Sequence, residues 1–241
     1  NSARFPTGRN SIKGKWMKAI ILAAGIGSRL GNLDPKPLTK LSNGESILQR
    51  QINYLSEYIG INNIYIIVGY KKEVIIEAFP ELLYIYNNCY DTTNTSKSLL
   101  LGLQKIDEKE DVIWLNGDVV FEKELLLQII NCSQSCMAVN TNSVGEEEIK
   151  YNTSGDGMIN EVSKIVNNPL GEAVGINKII GRNKNLLIRG LKECDNQDYF
   201  EKGIELSIQS GLKMIPEDIS DYLCMEIDFL EDLSSINQKL N

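Results

Sequence analysis

The chain has 241 residues, 42% hydrophobic and 24% charged, with a net charge of −7 and no histidine. That length suits one large α/β domain with a sizeable core, and the negative balance excludes nonspecific binding to nucleic acid or anionic membrane. The missing histidine rules out Ser-His-Asp and Cys-His catalysis and histidine-held metals, so a metal here takes oxygen ligands, as magnesium or calcium does.

Residues 1–16, "NSARFPTGRNSIKGKW", hold Arg4, Arg9, Lys13 and Lys15 and no acid, so the rest of the chain carries −11. They read as a vector-derived leader or disordered tail, leaving 17–241 as a single domain. "KAIILAA" then forms a strand buried on both faces. "SILQRQINYLSEYIG" places Leu48, Ile52, Leu55 and Ile59 on one helical face and ends at Gly60. "IYIIVGY" is the second strand, "KKEVIIEAF" a short helix before Pro80, and "LLYIYNN" the third strand. "SKSLLLGLQKI" is helical, "DVIWLNGD" is the fourth strand, "EKELLLQII" a helix and "CMAVN" the fifth strand. Alternation with short joins predicts an α/β fold with a mostly parallel central sheet and helices on both faces. After Asn140 the pattern changes. "EIKYNTSGDGMINEVSKI" is a hairpin about Gly155-Asp156-Gly157, and "GEAVGINKI" another strand. Two helical runs, "NKNLLIRGLKE" and "DYFEKGIELSIQS", precede a last strand, "YLCMEID", and a last helix, "FLEDLSSINQKL". This later half predicts a smaller mixed lobe over the sheet edge. The five cysteines are odd in number and lack C-x-x-C spacing, as in a cytoplasmic protein with reduced thiols, and no apolar run reaches the roughly 18–20 residues that span a membrane.

In such a sheet, ligands bind at the carboxyl ends of the strands. The first end reads "AAGIGSRL". Ala23 and Ala24 are small, Gly25 and Gly27 allow close approach and positive φ, and amides there can cradle phosphate. The plain alternative is a tight turn. The dinucleotide fingerprint fails because Leu30 stands where its third glycine belongs, and the Walker A pattern is absent. In "PKP", prolines restrict the backbone around Lys36, as suits a phosphate contact, although a solvated loop lysine would look the same. "WLNGD" ends in Asp118 and "CMEIDF" carries Glu226 and Asp228. Strand-end carboxylates suit magnesium beside phosphate, or else cap the following helices.

Together, "KAIILAAGIGSRL…PKPLTKL", "WLNGD" and "EIDF" resemble the nucleotidyltransferases that couple an NTP to a phosphorylated metabolite and release pyrophosphate. "YNNCYDTTNTSKSLLLGL", "NSVGEEEIKY" and "EIDFLEDL" look most like the phosphocholine cytidylyltransferase branch, which uses CTP. The resemblance runs from Met17 onward and implies a Rossmann-like nucleotidyltransferase fold with an acceptor-binding lobe. It implies that Leu22, Ala23, Ala24, Gly25, Gly27 and Ser28 hold the nucleotide and that Arg29 and Lys36 neutralise the triphosphate. Asp118 and Asp228 would bind Mg2+. Thr93, Asn94 and Ser98 would lie near the base or the acceptor, and Lys150, Glu148 and Tyr151 at the acceptor. The implied partners are CTP and a small phosphorylated or phosphonate metabolite, with no nucleic acid and no membrane; a homodimer stays open. Phosphocholine enzymes tend to carry an aromatic residue near "GEEEIKY", where this chain has Glu146, Glu147 and Glu148. Quaternary ammonium favours aromatic faces, so a broader aminoalkyl phosphate or phosphonate class ranks above phosphocholine itself. A sugar-1-phosphate nucleotidylyltransferase using UTP, dTTP or GTP, and a non-catalytic nucleotide-binding relative, are the competing readings.

Overall fold

The computed structural model describes residues 17–27, 34–142, 144–146 and 148–240. β1 (Met17–Ala23) is buried along almost its whole length, which explains its apolar run from Ala19 to Ala23. It pairs in parallel with β2 (Ile64–Val68) and with β4 (Asp111–Asn116), placing Leu22 beside Ile67 and Asn116. β3 (Leu83–Tyr86) adds in parallel to β2. On the other side, β9 (Gly171–Ile179) runs antiparallel between β4 and β6 (Cys136–Asn140), and β10 (Ile215–Asp218) lies parallel to β6. The order is β10-β6-β9-β4-β1-β2-β3. The hairpin of β7 (Lys150–Thr153) and β8 (Ile159–Ser163) hangs from the start of β9. The mostly parallel sheet and the hairpin match the sequence reading.

Helices cover both faces. α1 (Ile47–Ile59), α2 (Lys72–Ala78) and α4 (Lys123–Asn131) pack on one core through Leu48, Ile52, Ile75, Leu125 and Ile129. α3 (Thr95–Leu103), α5 (Gly181–Glu193) and α6 (Phe200–Gln209) pack on the other through Leu99, Leu187, Leu191, Phe200 and Ile204. α1 starts where Ser46 Oγ accepts the Gln49 N–H and stops at Gly60, whose φ is 83°, a left-handed cap that glycine adopts at little cost. No helix among the described residues is long and apolar enough to cross a membrane.

Two strands were not foreseen. β10 is one. The other is β5 (Val119–Phe121), which leaves the central sheet and forms an antiparallel ribbon with β11 (Cys224–Glu226). The "YLCMEID" strand therefore belongs to this ribbon rather than to the main sheet. α7 (Leu230–Lys239) seals the ribbon with Ile236, which packs with Val120 and Ile227.

α5 and α6 approach closely at Gly190. A Cβ there would lie 2.2 Å from Ser207 Oγ and 2.4 Å from the Gly203 carbonyl. Gly190→Ala is expected to destabilise the protein by about 1–3 kcal/mol through overpacking, read as a lower urea midpoint at constant m; an unchanged midpoint would contradict this packing.

Candidate active site

The carboxyl ends of β1 and β4 open into a cleft of ≈ 760 Å³. Its floor is the turn after β1. Gly27 has φ 60°, and a Cβ on it would meet Lys36 Cβ at 2.8 Å, so only glycine lets the Lys36 loop pass this closely. Gly25 differs from expectation. Its φ is not positive, and a Cβ on it would touch no protein atom. Because Gly25 lines the cleft, a side chain there would occupy ligand space.

Lys36 opens a single 3₁₀ turn, Lys36–Leu38, held between Pro35 and Pro37. Its side chain is 11% exposed, and its ammonium donates to Asp118 Oδ2 at 2.6 Å and to Asp228 Oδ1 at 2.7 Å. Burial pulls the Lys36 pKa down, but the Asp118 charge and the bonds to both aspartates outweigh it, so the net shift is upward. Lys36 is not the solvated loop lysine that sequence alone allowed.

Asp118 lies in the turn between β4 and β5. Buried Gln51 on α1 donates to the carbonyls on both sides of that turn, Asn116 at 2.9 Å and Val119 at 2.8 Å. The Asp118 carbonyl accepts the Ile227 N–H at 3.1 Å. This bond and the ribbon register bring Glu226 and Asp228 to Asp118. Neither aspartate caps a helix: Glu122 and Phe229 hold the N-cap positions of α4 and α7, and Asp232 accepts the backbone N–H groups of Asp228 and Phe229.

Asp118, Glu226 and Asp228 offer carboxylate oxygens that lie within 4.8 Å of one another. Glu226 is the member that sequence reasoning left unassigned, although the i, i+2 spacing with Asp228 was its signal. The Asp118 charge, followed by desolvation and Asp228, pushes the Glu226 carboxyl up to about 9. Asp118 Oδ1 is buried without a partner. Crowded carboxylates with an unsatisfied oxygen fit a divalent cation that takes oxygen ligands.

A model of the MobA-like NTP transferase domain matches residues 19–167. The chain belongs to this family. CMP-5'-(3-aminopropyl)phosphonate synthase of Streptomyces rubellomurinus is 36% identical over 119 residues, covering 46% of this chain and 18% of that protein. Bifunctional protein GlmU of Methanococcus maripaludis is 30% identical over 217 residues, covering 82% of this chain and 49% of that protein. The chain thus spans half or less of these curated relatives. The CTP:phosphocholine cytidylyltransferase structure from Streptococcus pneumoniae shares the fold, with TM-score 0.75 at 22% identity over 93% of this chain and 99% of that one.

In this NTP transferase domain the expected site residues separate into groups. Leu22, Ala23, Gly25, Gly27, Lys36, Asn94, Asp118, Glu148 and Asp228 line the cleft. Ala24, Thr93 and Ser98 line an adjoining recess of ≈ 60 Å³ with Tyr90. There the Thr93 and Ser98 hydroxyls accept from Asn87 Nδ2 at 3.0 and 3.1 Å, which fixes the recess wall. Asn94 caps α3, its side chain accepting the Thr95 N–H. Ser28 and Arg29 lie outside the described residues, as does Glu147. Two acceptor expectations do not fit. Tyr151 is 3% exposed and packs in the core against Gly171, because strand alternation on β7 turns it inward. Lys150 Nζ donates to the carbonyls of Glu146 and Lys164 and does not line the cleft. Lys164, Tyr199 and Glu201 are among the cleft residues that sequence reasoning did not assign.

Glu201 is 7% exposed, and burial pushes its carboxyl up to about 7 from an ordinary value of 4.5. A raised carboxyl pKa means that the folded state prefers the protonated acid, so this group lowers stability as pH rises from about 4.5 to about 7. Glu201→Gln is expected to remove that slope, gaining on the order of 2 kcal/mol over wild type at pH 8 relative to pH 4.5. Urea unfolding at both pH values tests this, and parallel losses of stability in the two proteins would refute it.

Proposed function

We propose that the chain transfers a cytidylyl group from CTP to a small phosphorylated or phosphonate acceptor and releases pyrophosphate, with Mg2+ as cofactor. The observation that carries this reading is the convergence of Lys36, Asp118, Glu226 and Asp228 on one cleft floored by the Gly25–Gly27 turn. The relative named for a CMP-linked aminopropylphosphonate supports CTP and a phosphonate acceptor. The five cysteines are free, which suits action in a reducing cytoplasm.

Asp118, Glu226 and Asp228 would hold magnesium, which supplies positive charge to phosphate oxygens when bound. The β1 turn receives the phosphates, and the recess beside Thr93, Ser98 and Tyr90 suits the base. An acceptor oxygen attacks the α-phosphorus; a new P–O bond forms, and the bond to the bridging oxygen of the leaving pyrophosphate breaks. The acceptor is already largely ionised, since a phosphate monoester's second pKa is about 6. No general base is needed, which suits a site without histidine. What the reaction needs is positioning and neutralised charge. Lys36 meets charge that builds on the leaving group, and Arg29 takes the same role on the family resemblance.

Pyrophosphate release, with CTP, UTP, GTP, dTTP and ATP crossed against phosphate and phosphonate acceptors and glucose 1-phosphate, tests the reading. Release with CTP and a small acceptor is expected. Release only with UTP, dTTP or GTP and the sugar phosphate would replace it with the sugar-directed reading. Lys36→Ala and Asp118→Ala are each expected to lower turnover about 100-fold or more, the scale of one lost electrostatic contact in such a site. Near-wild-type turnover in either variant would reject its assigned role.

A further inference from the structure

The cleft is acid-rich: Asp118, Glu148, Glu201, Glu226 and Asp228 line it, against Lys36 and Lys164 among the described residues. Four of these acids have a counter-charge within the chain. Asp118 and Asp228 share Lys36. Lys36 also draws the Glu226 pKa down against its acidic neighbours, and Lys164 and Lys150 act likewise on Glu148. Among the described residues, no cation acts on Glu201 in this way. Burial raises its pKa, and its own backbone N–H is the only group that opposes the shift.

Glu201 is also held firmly. It is the second residue of α6. The preceding Phe200 donates its N–H to Thr95 Oγ1 at 3.0 Å, and its ring meets Trp114 edge-on at 5.8 Å. On the next turn, Gly203 packs against Leu191 of α5. A first-turn glutamate that served only the helix dipole could stay in water. This one is buried and faces the cleft, where an uncompensated carboxylate is costly. Tyr199 lines the cleft beside it and is 46% exposed. Lys164 Nζ lies 6.0 Å from the Tyr199 ring centre, so that face already attracts a cation.

We propose that Glu201, with the Tyr199 ring beside it, binds an ammonium group on the acceptor, so the acceptor is an aminoalkyl phosphate or phosphonate and not a polyol phosphate. This rests on the cytidylyltransferase reading and names its acceptor class. CTP offers Glu201 only neutral donors, the ribose hydroxyls and the cytosine amino group, because near neutral pH its phosphates are anionic and its base and sugar carry no positive charge. Glu201 is not one of the three carboxylates that lie within 4.8 Å of one another, although its charge reaches Glu226. An ammonium is the ligand group that neutralises a buried carboxylate while its phosphate end reaches toward Lys36.

The test compares matched acceptors with CTP and magnesium: phosphoethanolamine against ethylene glycol monophosphate, and 2-aminoethylphosphonate against propylphosphonate. Wild-type protein is expected to favour the ammonium member of at least one pair by roughly 10- to 100-fold in kcat/KM, the scale of a charge-assisted hydrogen bond. In Glu201→Gln that ratio should fall to within about 3-fold of unity, chiefly through KM, while calorimetry shows CTP affinity within about 2-fold of wild type. A wild-type ratio near one overturns the proposal without any variant. So does an undiminished ratio in Glu201→Gln, or an equal loss of CTP affinity, which would assign Glu201 to the nucleotide. Those results leave CTP turnover intact. Failure of wild-type protein to bind CTP would instead overturn the cytidylyltransferase reading and this inference with it.

Discussion

One ammonium holds the cleft together. Lys36 lies between Asp118 and Asp228, 82 and 192 positions away in sequence. Two like charges about 4 Å apart repel by roughly 4 kcal/mol at an effective dielectric of 20. Without a cation among them, the three carboxylates would resist the packing that brings them together. The surrounding structure fixes the parts that Lys36 joins. Two prolines set its loop, Gln51 grips the turn before β5, and the ribbon of β5 and β11 carries in Glu226 and Asp228.

On the proposed reading, the same arrangement lets an acidic protein meet anionic phosphates. The Lys36 ammonium stands where the sheet ends, beside carboxylates suited to a dication. Farther along the cleft wall stands Glu201, on which no described cation acts. A ligand that suits both regions is negative at one end and positive at the other. On the proposed reading, that charge pattern favours an aminoalkyl acceptor.

Much of this could be read from the sequence. Strands β1, β2, β4 and β6 are built around apolar runs, and a glycine follows each of the first three. Lys36, Asp118 and Asp228 stood out because prolines or strand ends flank them. β5 was missed because three residues after "NGD" look like a continuation of β4; only the pairing with β11 defines it. β10 contains a proline, which weakens a strand pattern. Tyr151 misled because a tyrosine beside an acidic loop looks like a ligand contact, whereas burial depends on which side of β7 it takes. Glu201 left no local signal. A glutamate in the first turn of a helix is ordinary, and its place is set by Phe200 beside it, which packs against Trp114 and Thr95, more than eighty positions away. Contacts of that range are set by tertiary structure, which no local pattern encodes.

The β5–β11 ribbon also bears on how the molecule is made. Its second strand and Asp228 leave the ribosome after every strand of the central sheet. The sheet and its two cores can therefore collapse while Lys36 still faces Asp118 alone. During synthesis a nascent chain could hold the glycine turn and the recess beside Thr93 and Ser98 yet lack two of its three clustered acids. Assembly of the trio is then a late event, and a chain interrupted before residue 224 would carry a nearly complete scaffold around a centre that cannot form.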